Sequence, residues 1–96
     1  MLFTLICTDK PNSLDLRVKT RPEHVEYLKS LGEMLKFAGP FLGDDGKPDG
    51  SLVVIDAENR SHAESIASHD PYGKAGLFQS VDIRAWNWTL NNPEAK

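Results

Sequence analysis

The first strand-like segment of this chain is hydrophobic on both of its faces. Residues Leu2 to Thr8 read LFTLICT, so apolar side chains occur at both odd and even positions. Successive side chains of a β-strand point to opposite faces of the sheet. In a chain of 96 residues, such a strand indicates a sheet that is covered on both faces, by helices on one face and by a second subunit on the other.

Three further strands and two helical segments follow, in the order β-α-β-β-α-β. The strands are predicted at Met34 to Leu42, Ser51 to Ala57 and Gln79 to Trp88, from their apolar patterns and the turn residues between them. With right-handed crossovers, this order gives a ferredoxin-like α+β fold, in which a four-stranded antiparallel sheet carries both helices on one face. Residues 1–96 are expected to form a single domain, and residues 91–96 have the composition of a tail that frays.

Three sequence signals mark where the helices begin or break. Ser13 can cap a helix that starts near Leu14, and Pro22 predicts a break or kink in this helix because proline lacks a backbone donor and crowds the preceding turn. The second helix is predicted to open with Ser61 as its N-cap. Glu64 follows three residues later, which is the spacing of a capping box.

Composition and charge exclude several classes of function. The net charge is −3, and both signs are scattered along the chain, whereas a nucleic-acid-binding domain should carry a basic patch or stripe. The same balance argues against docking on an anionic membrane, and no apolar run approaches the roughly 20 residues that span one. Cys7, the only cysteine, cannot form an internal disulfide, so the expected compartment is the reducing cytoplasm.

His24 and Asp70 are the candidate catalytic residues. Asp70 falls where the apolar stripe of the second helix would continue, and an unpaired carboxylate on that side would need a cation or donors. His24 borders the apolar stripe of the first helix, and the two helices should lie side by side on the sheet. An aspartate that holds one imidazole nitrogen leaves the other free to move a proton near neutral pH. The alternative is a structural ion pair that joins the helix ends.

Five other residues are candidates for a binding pocket. Gly39 and Pro40 indicate either a close approach of the backbone to a ligand or a bulge or edge position in the sheet. Ser51 and Tyr72 could donate hydrogen bonds at the mouth of a pocket, or could be a strand start and a half-buried aromatic residue. Phe78 would complete the pocket lining.

No metal or cofactor is expected from the sequence. His62, His69 and Asp70 could be imagined as zinc ligands, but three ligands scattered along one helix do not match known zinc-site spacings. No phosphate-binding glycine loop and no nucleophile elbow is present.

Five motifs in a fixed order resemble those of the YciI-like (YCII-related) proteins. They are RPEHV with Tyr27 and Leu28, Ala38-Gly39-Pro40, Gly50-Ser51-Leu52-Val53, Asp70-Pro71-Tyr72, and Ala75-Gly76-Leu77-Phe78 followed by Val81-Asp82-Ile83. The resemblance covers Met1 to about Trp86. It implies membership of the dimeric α+β barrel superfamily, hence a homodimer, and a pocket in which His24 and Asp70 form an acid/base pair. Glu23 departs from the small residues common at its position.

The sequence and the resemblance together lead to a functional hypothesis with two rivals. The hypothesis is a small, cofactor-free enzyme that uses the His24–Asp70 pair for proton transfer on a small, cyclic or aromatic substrate. The reaction would be an isomerisation, an elimination or dehydrohalogenation, or lactone-type chemistry. Some relatives act on chlorinated or hydroxylated aromatic rings. The first rival is a non-catalytic module that binds a small ligand in the same pocket, and the second is a structural dimerisation domain.

Overall fold

The computed structural model describes residues 1–95. The four strands in this part of the chain form one antiparallel sheet. The elements are β1 (Leu2–Asp9), α1 (Leu14–Ser30), a 3₁₀ turn (Gly32–Met34), β2 (Leu35–Leu42), β3 (Pro48–Asp56), α2 (Arg60–His69), α3 (Pro71–Lys74) and β4 (Phe78–Trp86). The strand order is β2-β3-β1-β4, so the predicted ferredoxin-like βαββαβ fold is confirmed. Within this part of the chain, no helix has the length and apolar composition that crossing a membrane requires.

Helix α1 runs without interruption through Pro22, so the predicted break in this helix is wrong. It spans 17 residues, and its buried positions are spaced three or four residues apart. They are Arg17, Thr20, His24 and Leu28. Proline removes only one backbone donor, and the packing of this inner face against the sheet outweighs that loss. As a result, one face of a continuous α1 carries both Arg17 and His24.

The second helix begins earlier than the capping-box pattern predicted. Its N-cap is Asn59, whose Oδ1 accepts a hydrogen bond from the His62 backbone N–H at 2.9 Å. The prediction that Ser61 is the N-cap is therefore wrong, and Glu64 instead lies 3.2 Å from Arg60 as an i,i+4 ion pair. Asparagine and serine are comparable N-caps. Asn59 precedes Ser61 after β3, and it is the residue that caps α2.

The hydrophobic core lies between the helices and the inner face of the sheet. Its buried members are Phe3, Leu5, Cys7, Leu28, Val53, Ile55, Ala57, Ala63, Ile66 and Ile83. The inner face of β1 is therefore formed by its odd-numbered residues, and Cys7 packs among them as a small hydrophobic side chain.

The opposite face of the sheet carries hydrophobic side chains and, among the described residues, no helix. Phe37, Phe41 and Trp86 remain between 37 and 40% exposed. The ring of Phe37 packs edge-on against Trp86 and Trp88, with centroid distances of 6.0 and 4.9 Å.

The predicted tail at 91–96 extends to residue 96, which lies outside the described residues. Within it, Glu94 accepts a hydrogen bond from Lys36 Nζ at 2.7 Å.

Candidate active site

His24 and Asp70 are in direct contact between α1 and the end of α2. His24 Nδ1 lies 2.8 Å from Asp70 Oδ1 and 3.0 Å from Oδ2, and the two side chains are only 10% and 8% exposed. Asp70 is held from a second side as the N-cap of α3, because its Oδ1 also accepts the Tyr72 backbone N–H at 2.9 Å. Pro71 suits the first position of that helix, where its missing N–H costs nothing.

This geometry fixes which nitrogen of His24 is available. A carboxylate only accepts hydrogen bonds, so Nδ1 carries the hydrogen, and in the neutral imidazole Nε2 is then the acceptor. No fully buried side-chain nitrogen or oxygen within residues 1–95 lacks a hydrogen-bond partner. Nε2 has no such partner among those residues, and it must therefore be reached from solvent.

Tyr72 packs directly against the imidazole ring. The two rings stack with a centroid distance of 3.9 Å and an interplanar angle of 19°, and Tyr72 is 1% exposed. Burial raises the pKa of Tyr72, and the positive charges of Arg17 and Arg21 oppose this only in part. The phenol is therefore protonated at neutral pH and can donate a hydrogen bond.

The sequence analysis missed three residues of the site, Arg17, its partner Asp9 and Arg21. Arg17 makes the most hydrogen bonds of the three. Arg17 Nε and Nη2 donate to Asp9 at 2.6 and 2.9 Å, and Nη2 also donates to Ser51 Oγ at 2.9 Å. Its guanidinium carbon lies 4.6 Å from the centroid of the Tyr72 ring. Burial lowers the pKa of Arg17, but the hydrogen bonds and negative charge of Asp9 outweigh burial and raise it above the ordinary value. Asp9 is the last residue of β1.

A cavity of about 210 Å³ opens beside these residues. Its polar lining residues are Arg17, Arg21, His24, Ser51 and Tyr72. Its apolar lining residues are Val18, Val25, Leu28, Ala38, Gly39, Pro40, Pro48 and Val53. An engineered cavity of ~150 Å³ holds one benzene molecule, so this space suits a single ring with a few substituents.

The predicted pocket residues divide into those that line the cavity and one that does not. Gly39, Pro40, Ser51 and Tyr72 line it together with His24. Gly39 and Pro40 lie in the edge strand β2, where their register with β3 runs without a shift, so they form an edge position and not a bulge. Phe78 instead packs edge-on against Tyr72 at 5.9 Å and lines a separate groove beside α2.

The two remaining histidines do not join this site. His62 Nδ1 accepts the Glu58 backbone N–H, and His69 Nδ1 bonds to the Ser65 carbonyl. In the part of the chain that the structure describes, no group of three histidine, cysteine or acidic side chains is arranged to hold a metal ion.

Comparisons with known proteins agree with this fold. The YCII-related domain model matches residues 1–87. The chain is 32% identical over 92 residues to Protein YciI of Escherichia coli O6:H1, covering 88% of this chain and 94% of that protein. It is 35% identical over 80 residues to the derivative of benzaldehyde biosynthesis cluster protein C of Emericella nidulans, covering 74% of this chain and 79% of the fungal protein.

A solved structure with a bound small molecule is also similar. It is 5-chloro-2-hydroxyhydroquinone dehydrochlorinase (TftG) from Burkholderia phenoliruptrix AC1100 in complex with 2,5-dihydroxybenzoquinone. It matches with a TM-score of 0.84 and 34% identity, over 91% of this chain and 94% of that one. Because the domain model and these relatives span most of the sequence, the chain belongs to the YCII-related domain family.

Proposed function

We propose that this protein is an enzyme that transfers a proton on a small cyclic or aromatic molecule bearing oxygen substituents. His24 would be the catalytic acid/base, and Asp70 its positioning residue. The observation that carries the proposal is that Asp70 holds Nδ1, while His24 lines a cavity of single-ring size and its Nε2 is reached from solvent. Every group it uses is a side chain of this protein, so the proposed chemistry requires no cofactor.

The relatives support the class of substrate. TftG is a dehydrochlorinase of a chlorinated hydroxyhydroquinone, and it was solved with a dihydroxybenzoquinone bound. The fungal relative is named for a cluster that makes a benzaldehyde derivative. Both names describe six-membered rings with oxygen substituents, which fit the volume and mixed lining of this cavity.

In the proposed step, Nε2 accepts a proton from the bound substrate. The electron pair of the broken bond stays on the substrate, and the imidazolium that forms is paired with the carboxylate of Asp70 at 2.8 Å. Return of the proton to another atom completes an isomerisation, and departure of a leaving group with its electron pair completes an elimination. Stacking on Tyr72 fixes the plane of the imidazole ring and therefore the direction of its lone pair.

Turnover of a panel of hydroxylated and chlorinated quinones and hydroquinones tests this proposal. His24→Gln should lower the rate about 10²- to 10⁴-fold, the usual contribution of general acid–base catalysis. Asp70→Asn can still cap α3 and should reduce the rate less. The matched control is His69→Gln, which removes an exposed histidine outside the site and should retain full activity.

Two results would contradict the catalytic proposal. The first is a His24→Gln variant that turns over substrate at the wild-type rate. The second is a wild-type protein that binds compounds of the panel but converts none of them, which would favour a non-catalytic ligand-binding module.

We also propose that a second copy of the chain covers the open face of the sheet. Three large hydrophobic side chains, Phe37, Phe41 and Trp86, are partly exposed there, and two such faces can bury each other in a symmetric dimer. Light scattering should give twice the 10.7 kDa of one chain for the wild type. Phe37→Glu should give a monomer, and Leu90→Glu, at an exposed position after the last strand, should leave the dimer intact. A monomeric wild type would refute the proposal.

A further inference from the structure

The lining of the cavity is positively charged. Two arginines and one histidine line it, and no carboxylate does. Arg17 is neutralised by Asp9 at 2.6 Å. Arg21 is exposed, and within residues 1–95 it has no carboxylate within 4 Å, so its charge is not compensated locally. An unpaired cation beside a cavity attracts anions.

Two residues that line the cavity, Arg17 and Tyr72, each carry a donor without a protein acceptor. Arg17 Nη1 and the Tyr72 hydroxyl make no hydrogen bond to any described residue, although both residues are at least 96% buried. Because no fully buried side-chain nitrogen or oxygen in residues 1–95 is unpaired, both groups are reached from solvent. Both residues line the cavity. Hydrogen bonds to Asp9 and Ser51 already fix the Arg17 guanidinium, so Nη1 is held in place before a ligand arrives.

We infer that the cavity binds its substrate as an anion, and that Arg17, Arg21 and the Tyr72 hydroxyl form the subsite for an ionised oxygen on a planar ring. This inference rests on the proposed function and names its substrate class: a phenolate, an ionised hydroxyquinone or the carboxylate of an aromatic acid. Arg21 supplies the net charge. Arg17 and Tyr72 supply directed hydrogen bonds.

The subsite also acts during the proton transfer. When His24 Nε2 takes a proton from a tetrahedral ring carbon next to a ring carbonyl, as in the keto form of a hydroxylated ring, the electron pair of the C–H bond forms a C=C bond and the π pair of the C=O bond moves onto its oxygen. That oxygen becomes more negative, and the hydrogen bonds from Arg17 and Tyr72 strengthen. Donors that are already oriented stabilise such charge without reorganisation, which is how oxyanion sites lower a barrier. Arg17 and Tyr72 are therefore assigned as catalytic residues beside His24.

Binding of two ligands of nearly equal shape tests the inference without requiring turnover. The probes are 2,5-dihydroxybenzoate and 2,5-dihydroxybenzamide, which differ in charge, and affinities are measured by NMR titration at pH 7. The benzoate should bind about tenfold more tightly than the benzamide. Arg21→Gln should weaken benzoate binding about fivefold and leave the benzamide unchanged. The matched control is Lys19→Gln, which removes the same charge from an exposed position of α1 outside the cavity and should change neither affinity.

Tyr72→Phe provides a second variant that keeps the aromatic stack and removes only the hydroxyl. It should weaken benzoate binding severalfold. Equal affinity for the two probes, absence of binding by both at millimolar concentration, or equal effects of Arg21→Gln and Lys19→Gln would each overturn the inference.

The binding and turnover measurements distinguish failure of the anion subsite from failure of the proposed catalytic function. If the probes bind equally but His24→Gln abolishes turnover of the quinone panel, the enzyme proposal stands and the anion subsite is refuted. If benzoate binding depends on Arg21 and no compound of the panel is converted, the anion subsite stands and the catalytic proposal is refuted.

Discussion

Asp9→Asn should be among the most destabilising single substitutions in this protein. Arg17 donates two hydrogen bonds to the Asp9 carboxylate, and the two side chains are only 5% and 4% exposed. Removing one partner of a buried ion pair costs about 3–5 kcal/mol, because the other charge is left uncompensated. Arg17 would retain its contacts with Ser51 and the Tyr72 ring, so we expect a loss of about 3 kcal/mol. Domains of this size have a free energy of unfolding of roughly 5–15 kcal/mol.

Urea unfolding followed by tryptophan fluorescence measures this loss. In thermal unfolding, ~3 kcal/mol corresponds to a Tm lower by roughly 12–24 °C for a domain of this length. Both measurements require one fixed protein concentration, since a dimer makes apparent stability concentration-dependent. The matched control is Asp44→Asn in the exposed turn between β2 and β3, where a change within about 0.5 kcal/mol is expected.

A loss below about 1 kcal/mol for Asp9→Asn would refute this reasoning, because the pair would then behave like a surface salt bridge. The double variant Asp9→Leu with Arg17→Met separates the two physical terms. If the single variant is destabilised by an unpaired buried charge, replacing both partners with apolar side chains should recover most of the lost stability. No recovery would mean that the cost arises from altered packing.

Two further predictions concern the cap of α2 and the single cysteine. Asn59→Ala should lower the free energy of unfolding by about 1 kcal/mol, whereas Ser61→Ala should be nearly neutral; the opposite order in urea unfolding would contradict the observed cap. Burial raises the pKa of Cys7 to about 12, so its thiol stays protonated at pH 8. Iodoacetamide should alkylate Cys7 only after unfolding, as mass spectrometry would show, and rapid labelling of the folded protein would contradict its burial.

The order of elements was predictable because each element carries its own local pattern. Period-two alternation and apolar runs located the strands, and their sequence order with the handedness rule leaves few ways to assemble the sheet. Helix boundaries were less accurate, since they depend on contacts beyond the local sequence. Pro22 remains inside α1 because the packed inner face offsets one missing hydrogen bond, and Asn59 competes with Ser61 for one cap.

The site was predictable only in part, and the reason is physical. Asp70 is conspicuous from its position, because a carboxylate on the buried side of a helix end requires a partner. His24 was the matching candidate, because it borders the apolar stripe of the neighbouring helix. Asp9 and Arg17 gave no comparable signal. Asp9 is the first residue of a loop-like segment in the sequence. Arg17 is a charged residue on a predicted helix, and such residues are ordinarily exposed. The seven-residue spacing between Arg17 and His24 was the available clue, since two helical turns return a side chain to the same face.

That spacing links the two halves of the proposed site. Seven residues of α1 separate Arg17 from His24, a rise of about 10.5 Å along the axis, and the Tyr72 ring contacts both side chains. The proposed oxyanion donor and the proposed base therefore stand on one rigid element, at a separation that helix geometry sets. One residue inserted between them would rotate either side chain by about 100° relative to the other. The uninterrupted course of α1 through Pro22 is thus a requirement of the proposed chemistry as well as of the fold.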